Sequence, residues 1–125
     1  MVQSQILVQT PEFKPAREGQ TVELRCRNGD VSRFNVNWYR VFPRKQRAWV
    51  LTHQRTGMII DTGGFSARLH PSRVTSNNTY IIKLTAVTIS ESAVYYCCVL
   101  GEVCGDGTLL NITCEYAFEY TFYPL

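Results

Sequence analysis

The stretch Ala93-Val94-Tyr95-Tyr96-Cys97 decides how this chain folds. Ala93, Tyr95 and Cys97 recur with a period of two, which is the pattern of a β-strand with one buried face. Similar alternating runs follow turn signals along the whole chain, and no segment of useful length has a helical period. An all-β domain is therefore predicted. The other alternating runs are Val22, Leu24 and Cys26; Val36 and Trp38; Tyr80, Ile82 and Leu84; and residues 108–112.

Length, composition and charge limit what the chain can do. Its 125 residues suffice for one domain, and with 45% hydrophobic and 18% charged residues it resembles an ordinary globular protein. The formal net charge of +3 is too small for a nucleic-acid-binding stripe. The one local basic cluster, Arg44, Lys45 and Arg47, is typical of a solvated turn. We therefore expect no nucleic-acid partner.

Cysteine usage indicates the compartment. Five cysteines in so short a chain are typical of an oxidising environment, because cytosolic thiols are kept reduced. The odd number leaves at least one without a partner in the chain. No apolar run is long enough to span a bilayer, and no apolar signal segment follows Met1. We expect a mature extracellular domain of a cell-surface protein, with its signal peptide and transmembrane anchor outside this sequence.

Three segments match one family's pattern without gaps. Residues 38–50 match W-x-R-x-x-P-x-K-x-x-x-W-V, and residues 68–97 begin with arginine and end in E-x-A-x-Y-Y-C. Gly105-Asp106-Gly107-Thr108 matches the G-x-G-T start of a joining segment. These segments resemble variable (V-set) immunoglobulin domains, particularly antigen-receptor variable regions and novel immune-type receptors. The resemblance covers residues 5–113.

The resemblance implies a V-type immunoglobulin β-sandwich of eight or nine strands in two antiparallel sheets, formed by residues 1–113. Residues 114–125 would be a membrane-proximal tail or an addition foreign to the domain. In the tail, aromatic residues alternate with others from Tyr116 to Phe122. This pattern leaves open an added strand or a disordered stalk.

The same resemblance assigns roles to core residues. Cys26 and Cys97 would be bridged across the two sheets, with Trp38 packed on the bridge. Closing a loop of about 72 residues would stabilise the domain by roughly 4 kcal/mol. Arg68 and Glu91 would form the family's salt bridge under the sandwich.

The third hypervariable-type loop departs from the family pattern. Cys104 stands where the joining segment has Phe or Trp, and only six residues separate Cys97 from Cys104. So short a loop suggests that it is inherited whole from one gene. Cys98 and Cys104 flank the hairpin and are predicted to form a second disulfide. Cys114 is then available for an interchain bond, although a Cys104 to Cys114 pairing is the competing arrangement.

The outer face of one sheet is the candidate pairing surface. Tyr39, Arg47, Trp49 and Tyr96 are predicted to lie there, and they form an aromatic patch that indicates a partner. The alternative is that the short third loop covers the patch. Arg47 disfavours conventional heavy–light pairing, because burying an unpaired arginine costs several kcal/mol. A shifted homodimer and a monomer both remain open.

No catalytic, metal or cofactor site is predicted. His53 and His70 are isolated, and the chain offers no motif that joins a nucleophile, a base and an orienting acid. The cysteine spacing matches no zinc-ligand pattern. We expect no enzyme activity, no cofactor and no small-molecule substrate. Two N-glycosylation sequons begin at Asn77, in a predicted turn, and at Asn111, on the last predicted strand.

The prediction for function is an extracellular recognition domain of an immune cell-surface receptor. It would bind a protein ligand through its loops and the pairing surface. The alternatives are a homophilic adhesion domain and a homodimer like a T-cell co-receptor, binding an MHC-type ligand. The predicted ligand contacts are Arg33 and Phe34 in the first loop; Arg55, Met58 and Ile59 in the second; and Val99, Leu100, Glu102 and Val103 in the third.

Overall fold

The computed structural model describes residues 7–27, 34–61, 68–99 and 103–114. These residues form eleven strands and two short 3₁₀ turns, Thr75–Asn77 and Ile89–Glu91. The strands are Val8–Thr10 (β1), Phe13–Arg17 (β2), Val22–Arg27 (β3), Val36–Val41 (β4), Arg47–His53 (β5), Ile59–Asp61 (β6), Leu69–Val74 (β7), Thr79–Leu84 (β8), Ala93–Val99 (β9), Val103–Cys104 (β10) and Thr108–Thr113 (β11).

The strands form two sheets. One has the order β1-β3-β8-β7, and the other has the order β2-β11-β9-β4-β5-β6 with β10 added on β9. The predicted β-sandwich is confirmed, with two corrections. Eleven strands replace the eight or nine expected, because the first and last strands are each divided in two. The sheets are not purely antiparallel, since β2 pairs with β11 in parallel.

The division of the first strand has a local cause. β1 pairs with β3 in the four-stranded sheet, whereas β2 pairs with β11 in the other sheet. Pro11 lies between them and has no backbone N–H to donate to a ladder. The chain therefore leaves one sheet at Thr10 and joins the second at Phe13.

The core lies between the sheets and contains the predicted disulfide. Cys26 on β3 is bonded to Cys97 on β9, with 6.3 Å between their Cα atoms. Trp38 lies opposite Cys97 in the β4–β9 ladder, and all three side chains belong to one buried cluster. The bridge thus joins the two sheets at their centre, as the family resemblance implied.

A β-bulge in β5 sets which side chains reach the outer face of the seven-stranded sheet. Trp38 pairs with Leu51 and Tyr39 pairs with Trp49, so Val50 is the extra residue. Val50 and Leu51 are consecutive in sequence and both buried. The bulge breaks the period of two, and Trp49 consequently lies beside Tyr39 on the outer face instead of in the core.

The predicted ion pair closes the base of the sandwich. Arg68 donates to both carboxylate oxygens of Glu91, whose side chain is only 6% exposed. Arg68 Nη1 also donates to the carbonyls of Thr85 and Ala86, each at 3.2 Å. The Tyr95 hydroxyl donates to the Glu91 carbonyl at 2.8 Å. Burial raises the pKa of Tyr95, which keeps this hydroxyl a donor.

Candidate recognition surface

Three aromatic side chains form a row across the outer face of the seven-stranded sheet. Tyr96 on β9 lies opposite Tyr39 on β4, and Tyr39 lies opposite Trp49 on β5. Trp49 is 36% exposed, and both tyrosines are half-buried. We call Tyr96, Tyr39 and Trp49 the aromatic row. An amphipathic aromatic cluster on an accessible sheet is a surface suited to protein recognition.

Arg47 is part of this surface rather than an isolated charge. Its guanidinium carbon lies 4.1 Å from the centroid of the Tyr39 ring, which is a cation–π contact. Such stacking covers one face of the tyrosine while the charged group stays hydrated, since Arg47 is exposed. The four residues predicted for the pairing surface therefore lie together on one face.

A hydrogen-bond chain holds the outer end of the aromatic row. Trp49 Nε1 donates to Thr52 Oγ1 at 2.9 Å, and Thr52 Oγ1 donates in turn to Asn37 Oδ1. The indole nitrogen is satisfied within the sheet and its orientation is fixed. A partner that contacts Trp49 would consequently meet a preorganised apolar ring.

The third loop is closed by the second predicted disulfide. Cys98 on β9 and Cys104 on β10 are directly opposite in the ladder and are bonded, with Cα atoms 4.0 Å apart. The competing Cys104 to Cys114 pairing is therefore wrong, because Cys104 is already bonded. Cys114 follows β11 and is half-buried. Its interchain bond remains a prediction.

Gln9 holds the base of the third loop and was missed by the sequence reasoning. Its Oε1 accepts the backbone N–H of Cys97 at 3.1 Å and that of Gly107 at 3.0 Å, and its Nε2 donates to the Tyr95 carbonyl at 3.0 Å. A Cβ at position 105 would approach Gln9 Cγ to 2.6 Å, so this close approach requires glycine there. A lone glutamine in an edge segment carries no sequence signal of this role.

The second loop presents apolar side chains to solvent. A turn with Gly57 at φ +100° joins β5 to β6, and the Gln54 N–H donates to the Met58 carbonyl at 2.8 Å. Met58 is 60% exposed and Ile59 is 44% exposed. The Arg55 side chain is also exposed, while its backbone N–H donates to Asn35 Oδ1. That these residues contact a ligand remains a prediction.

Three other predicted contact residues pack inward. Val99 is fully buried in the core between the sheets, so its assignment as a ligand contact is wrong. Phe34 and Val103 are half-buried and pack against the same core, which favours a structural role. Val99 is buried because side chains alternate along β9, and Val99 lies on the same inward face as Tyr95 and Cys97. Arg33, Leu100 and Glu102 lie outside the described residues.

A second row on the outer face is aliphatic and lies towards the base. Leu109 on β11 pairs with Phe13 on β2 and with Val94 on β9, and Val94 pairs with Val41 on β4. Phe13 is 52% exposed and Leu109 is 45% exposed. We call Phe13, Leu109, Val94 and Val41 the aliphatic row.

Both predicted glycosylation sites are exposed. Asn111 lies beside the aliphatic row on β11, and Asn77 lies at the end of the 3₁₀ turn 75–77.

A buried histidine, His53, and a half-buried arginine, Arg73, lie near the first and second loops. Arg73 donates to the carbonyls of Phe34 and His53, at 3.1 and 2.9 Å, and to the Tyr80 hydroxyl at 2.8 Å. Among the described residues, Nδ1 of His53 is buried and has no hydrogen-bond partner. Burial, and secondly the positive charge of Arg73, lower the pKa of His53. The hydrogen bonds of Arg73 thus hold the backbone at Phe34, in the first loop, and at His53, next to the second loop.

Within residues 7–27, 34–61, 68–99 and 103–114, no group of His, Cys, Asp or Glu side chains could hold a metal ion. The same residues contain no helix long and apolar enough to cross a membrane.

Comparison with known proteins identifies the family. The immunoglobulin V-set domain matches residues 9–116, and the chain belongs to that family of recognition domains. It is 31% identical over 111 residues to the Ig heavy chain V region 36-60 of Mus musculus, covering 85% of this chain and 98% of the relative. It is 25% identical over 115 residues to the IgW heavy chain V region W26 of Heterodontus francisci, covering 86% and 96%. The chain is thus related to antigen-receptor variable regions.

Proposed function

We propose that this chain is the extracellular recognition domain of an immune cell-surface receptor, and that it binds a protein ligand through the aromatic row and the second and third loops. The observation that carries the proposal is the aromatic row itself. Three aromatic side chains lie on one rigid sheet face, and Trp49 is held by a hydrogen bond to Thr52. Aromatic anchors of this kind dominate the energy of protein interfaces.

The loops extend the same surface. Met58 and Ile59 are exposed beyond the end of β5, and the Cys98–Cys104 bond restricts the third loop. A loop that is already ordered loses less conformational entropy on binding. These features support binding to a folded protein surface rather than to a small molecule.

The test is staining of leukocytes and a panel of cell lines with fluorescent tetramers of the chain. We expect staining of some cells, its loss after trypsin treatment of those cells, and its loss in tetramers of Trp49→Ala or Met58→Ser. Lys83→Ala is the matched control, because Lys83 is exposed on the other sheet. Staining that persists in both face variants would contradict the proposal.

A second candidate is homophilic adhesion, or a homodimer that binds an MHC-type ligand, through the same face. The observation in its favour is the stacking of Arg47 on Tyr39, which lowers, without removing, the cost of burying the arginine against a second copy. Sedimentation velocity at several concentrations separates the two candidates, since only the second requires association of the chain with itself.

A further inference from the structure

We propose that Asn111 carries an N-linked glycan whose first N-acetylglucosamine covers the apolar groove beside the aliphatic row. The inference rests on the proposed extracellular function, because this modification requires passage through the secretory pathway. It goes further by assigning an occupant to one half of the outer face.

The groove is a defined apolar feature at the base of this face. Val41, Phe42, Val94 and Leu109 line it, and its volume is about 300 Å³. Small-molecule sites span roughly 300–1,000 Å³, so the groove has room for one compact group. Exposed apolar surface of this kind on a secreted domain calls for a partner or a covering.

Asn111 is itself part of the groove wall. It lies two residues after Leu109 on β11, and residues two apart on a strand project from the same face. Asn111 and Thr113 are both exposed, and Ile112 between them satisfies the sequon rule that the middle residue is not proline. The acceptor amide therefore stands next to the surface that the sugar would cover.

The modification is a glycosyl transfer without oxidation or reduction. The Asn111 amide nitrogen, Nδ2, forms a bond to C1 of the first N-acetylglucosamine of a lipid-linked oligosaccharide diphosphate. The bond between C1 and the diphosphate oxygen breaks, the lipid diphosphate leaves, and the amide nitrogen loses one proton to a base. The donor is the common substrate of the secretory pathway.

A covalently attached sugar suits this groove better than a second copy of the chain. Attachment at the groove wall gives the first sugar a high effective concentration there, without the translational entropy that a free partner loses. The carbon-bound hydrogens of a pyranose ring present an apolar surface to Leu109 and Phe42, while its hydroxyls stay in water.

The glycan would leave the aromatic row accessible. A Cβ added to Gly107 would lie 2.8 Å from side-chain atoms of both Tyr96 and Val94. Gly107 therefore lies at a level between the aromatic row and the aliphatic row. Asn111 is four residues further along the chain, about 13 Å at the rise of an extended strand. The sugar would then restrict partners to the half of the face that holds Tyr39 and Trp49.

To test this, the full chain is expressed with an added N-terminal signal peptide and secreted from cultured animal cells. Glycopeptide mass spectrometry measures occupancy at Asn111 and Asn77, and an endoglycosidase then trims each glycan to a single sugar. We expect Asn111 to be occupied in the wild type and in Thr113→Ser, and unoccupied in Thr113→Ala. We also expect the melting temperature of Asn111→Gln to lie about 4 °C below that of the trimmed wild type. The control Asn77→Gln should melt at the same temperature as the trimmed wild type.

Leu109→Ser separates groove contact from a general effect of glycosylation. In a Leu109→Ser background the melting difference between the occupied protein and Asn111→Gln should vanish. A secreted, folded protein with an unoccupied Asn111 would overturn the inference, as would an occupied Asn111 whose loss leaves the melting temperature unchanged. A glycosylated wild type that dimerises and becomes monomeric in Leu109→Ser would show that a second copy fills the groove. Absence of cell staining would contradict the proposed function but would not alter these readouts.

Discussion

At the scale of single residues, the Glu91 carboxylate shows how hydrogen bonds stabilise a buried charge. It accepts from two nitrogens of Arg68 and, at 3.0 Å, from the backbone N–H of Thr88. The hydrogen bond to Glu91 also raises the pKa of Arg68. Removing one partner of such a pair leaves the other poorly compensated.

We therefore expect Glu91→Ala to lower the free energy of unfolding by about 1 to 3 kcal/mol. The matched control is Glu23→Ala, which removes an exposed pair with Arg25 whose side chains are 52% and 39% accessible. Exposed pairs contribute roughly 0 to 1 kcal/mol. Urea denaturation measures both variants, and equal effects of the two would contradict a structural role for Glu91.

His53 predicts a dependence of stability on pH. Its pKa in the folded protein is lowered, so below its ordinary pKa of 6.5 the unfolded chain binds more protons than the folded one. The stabilising contribution is complete above pH 6.5 and is lost as the pH falls from there towards the folded pKa. The buried Nδ1 and the neighbouring Arg73 are the physical cause.

We expect His53→Gln to flatten the stability profile below about pH 6.5. His70→Gln, an exposed substitution on β7, should leave the profile of the wild type intact. Thermal melts in a series of buffers measure the difference. If His70→Gln flattens the profile as much as His53→Gln, the effect does not arise at the buried site.

At the scale of elements, alternation and family motifs predicted the central strands of both sheets. Val22 to Cys26, Tyr80 to Leu84 and Ala93 to Cys97 alternate cleanly, and their inward faces are buried in the structure. The two disulfides and the Arg68–Glu91 pair were also predicted.

The features that escaped prediction depend on contacts between distant segments. The bulge at Val50 is set by pairing with β4, and the parallel β2–β11 pairing joins opposite ends of the chain. The burial of Val99 is a different case, because it follows from the alternation along β9 once that strand extends to residue 99. Gln9 bonds to residues more than 80 positions away. No local pattern of sequence encodes such partners.

The second disulfide should stabilise the domain less than the first. It closes a separation of 6 residues, against 71 for Cys26–Cys97. The chain-entropy model gives roughly 2 and 4 kcal/mol respectively. We expect the double variant Cys98→Ala/Cys104→Ala to fold, to lose about 2 kcal/mol, and to exchange the Gly105 amide faster, since that N–H donates to the Cys97 carbonyl at the loop base. Unchanged exchange at Gly105 would mean that the loop is held without the bond.

Gln9 offers a test of the contacts that hold β1 against the third loop. Gln9→Ala leaves the backbone N–H groups of Cys97 and Gly107 without their acceptor in a buried region. We expect a loss of about 2 to 4 kcal/mol, because each unsatisfied buried group costs roughly 1 to 3 kcal/mol. Gln20→Ala, at an exposed turn, is the control. A similar small loss in both variants would show that water replaces the Gln9 amide.

At the scale of the whole molecule, the outer face combines features that attract and features that oppose a partner. The aromatic row supplies apolar surface, whereas Arg47 places a hydrated charge over Tyr39 in the middle of the face. Desolvating that charge against a second copy costs free energy unless an acidic group meets it. Electrostatic complementarity would then select the partner rather than add to the affinity.

This balance predicts the response of self-association to a single substitution. Arg47→Leu keeps an apolar covering on Tyr39 and removes the charge, so we expect the dimer of the variant to be about tenfold tighter than that of the wild type, a difference of roughly 1.4 kcal/mol. Lys83→Leu, an equivalent change on the other sheet, should leave association unaltered. Sedimentation velocity over a range of concentrations measures both. If Arg47→Leu associates no more tightly than the wild type, Arg47 does not control pairing. If it associates more weakly, Arg47 forms a favourable contact in a homodimer, and homophilic pairing becomes the better account of this face.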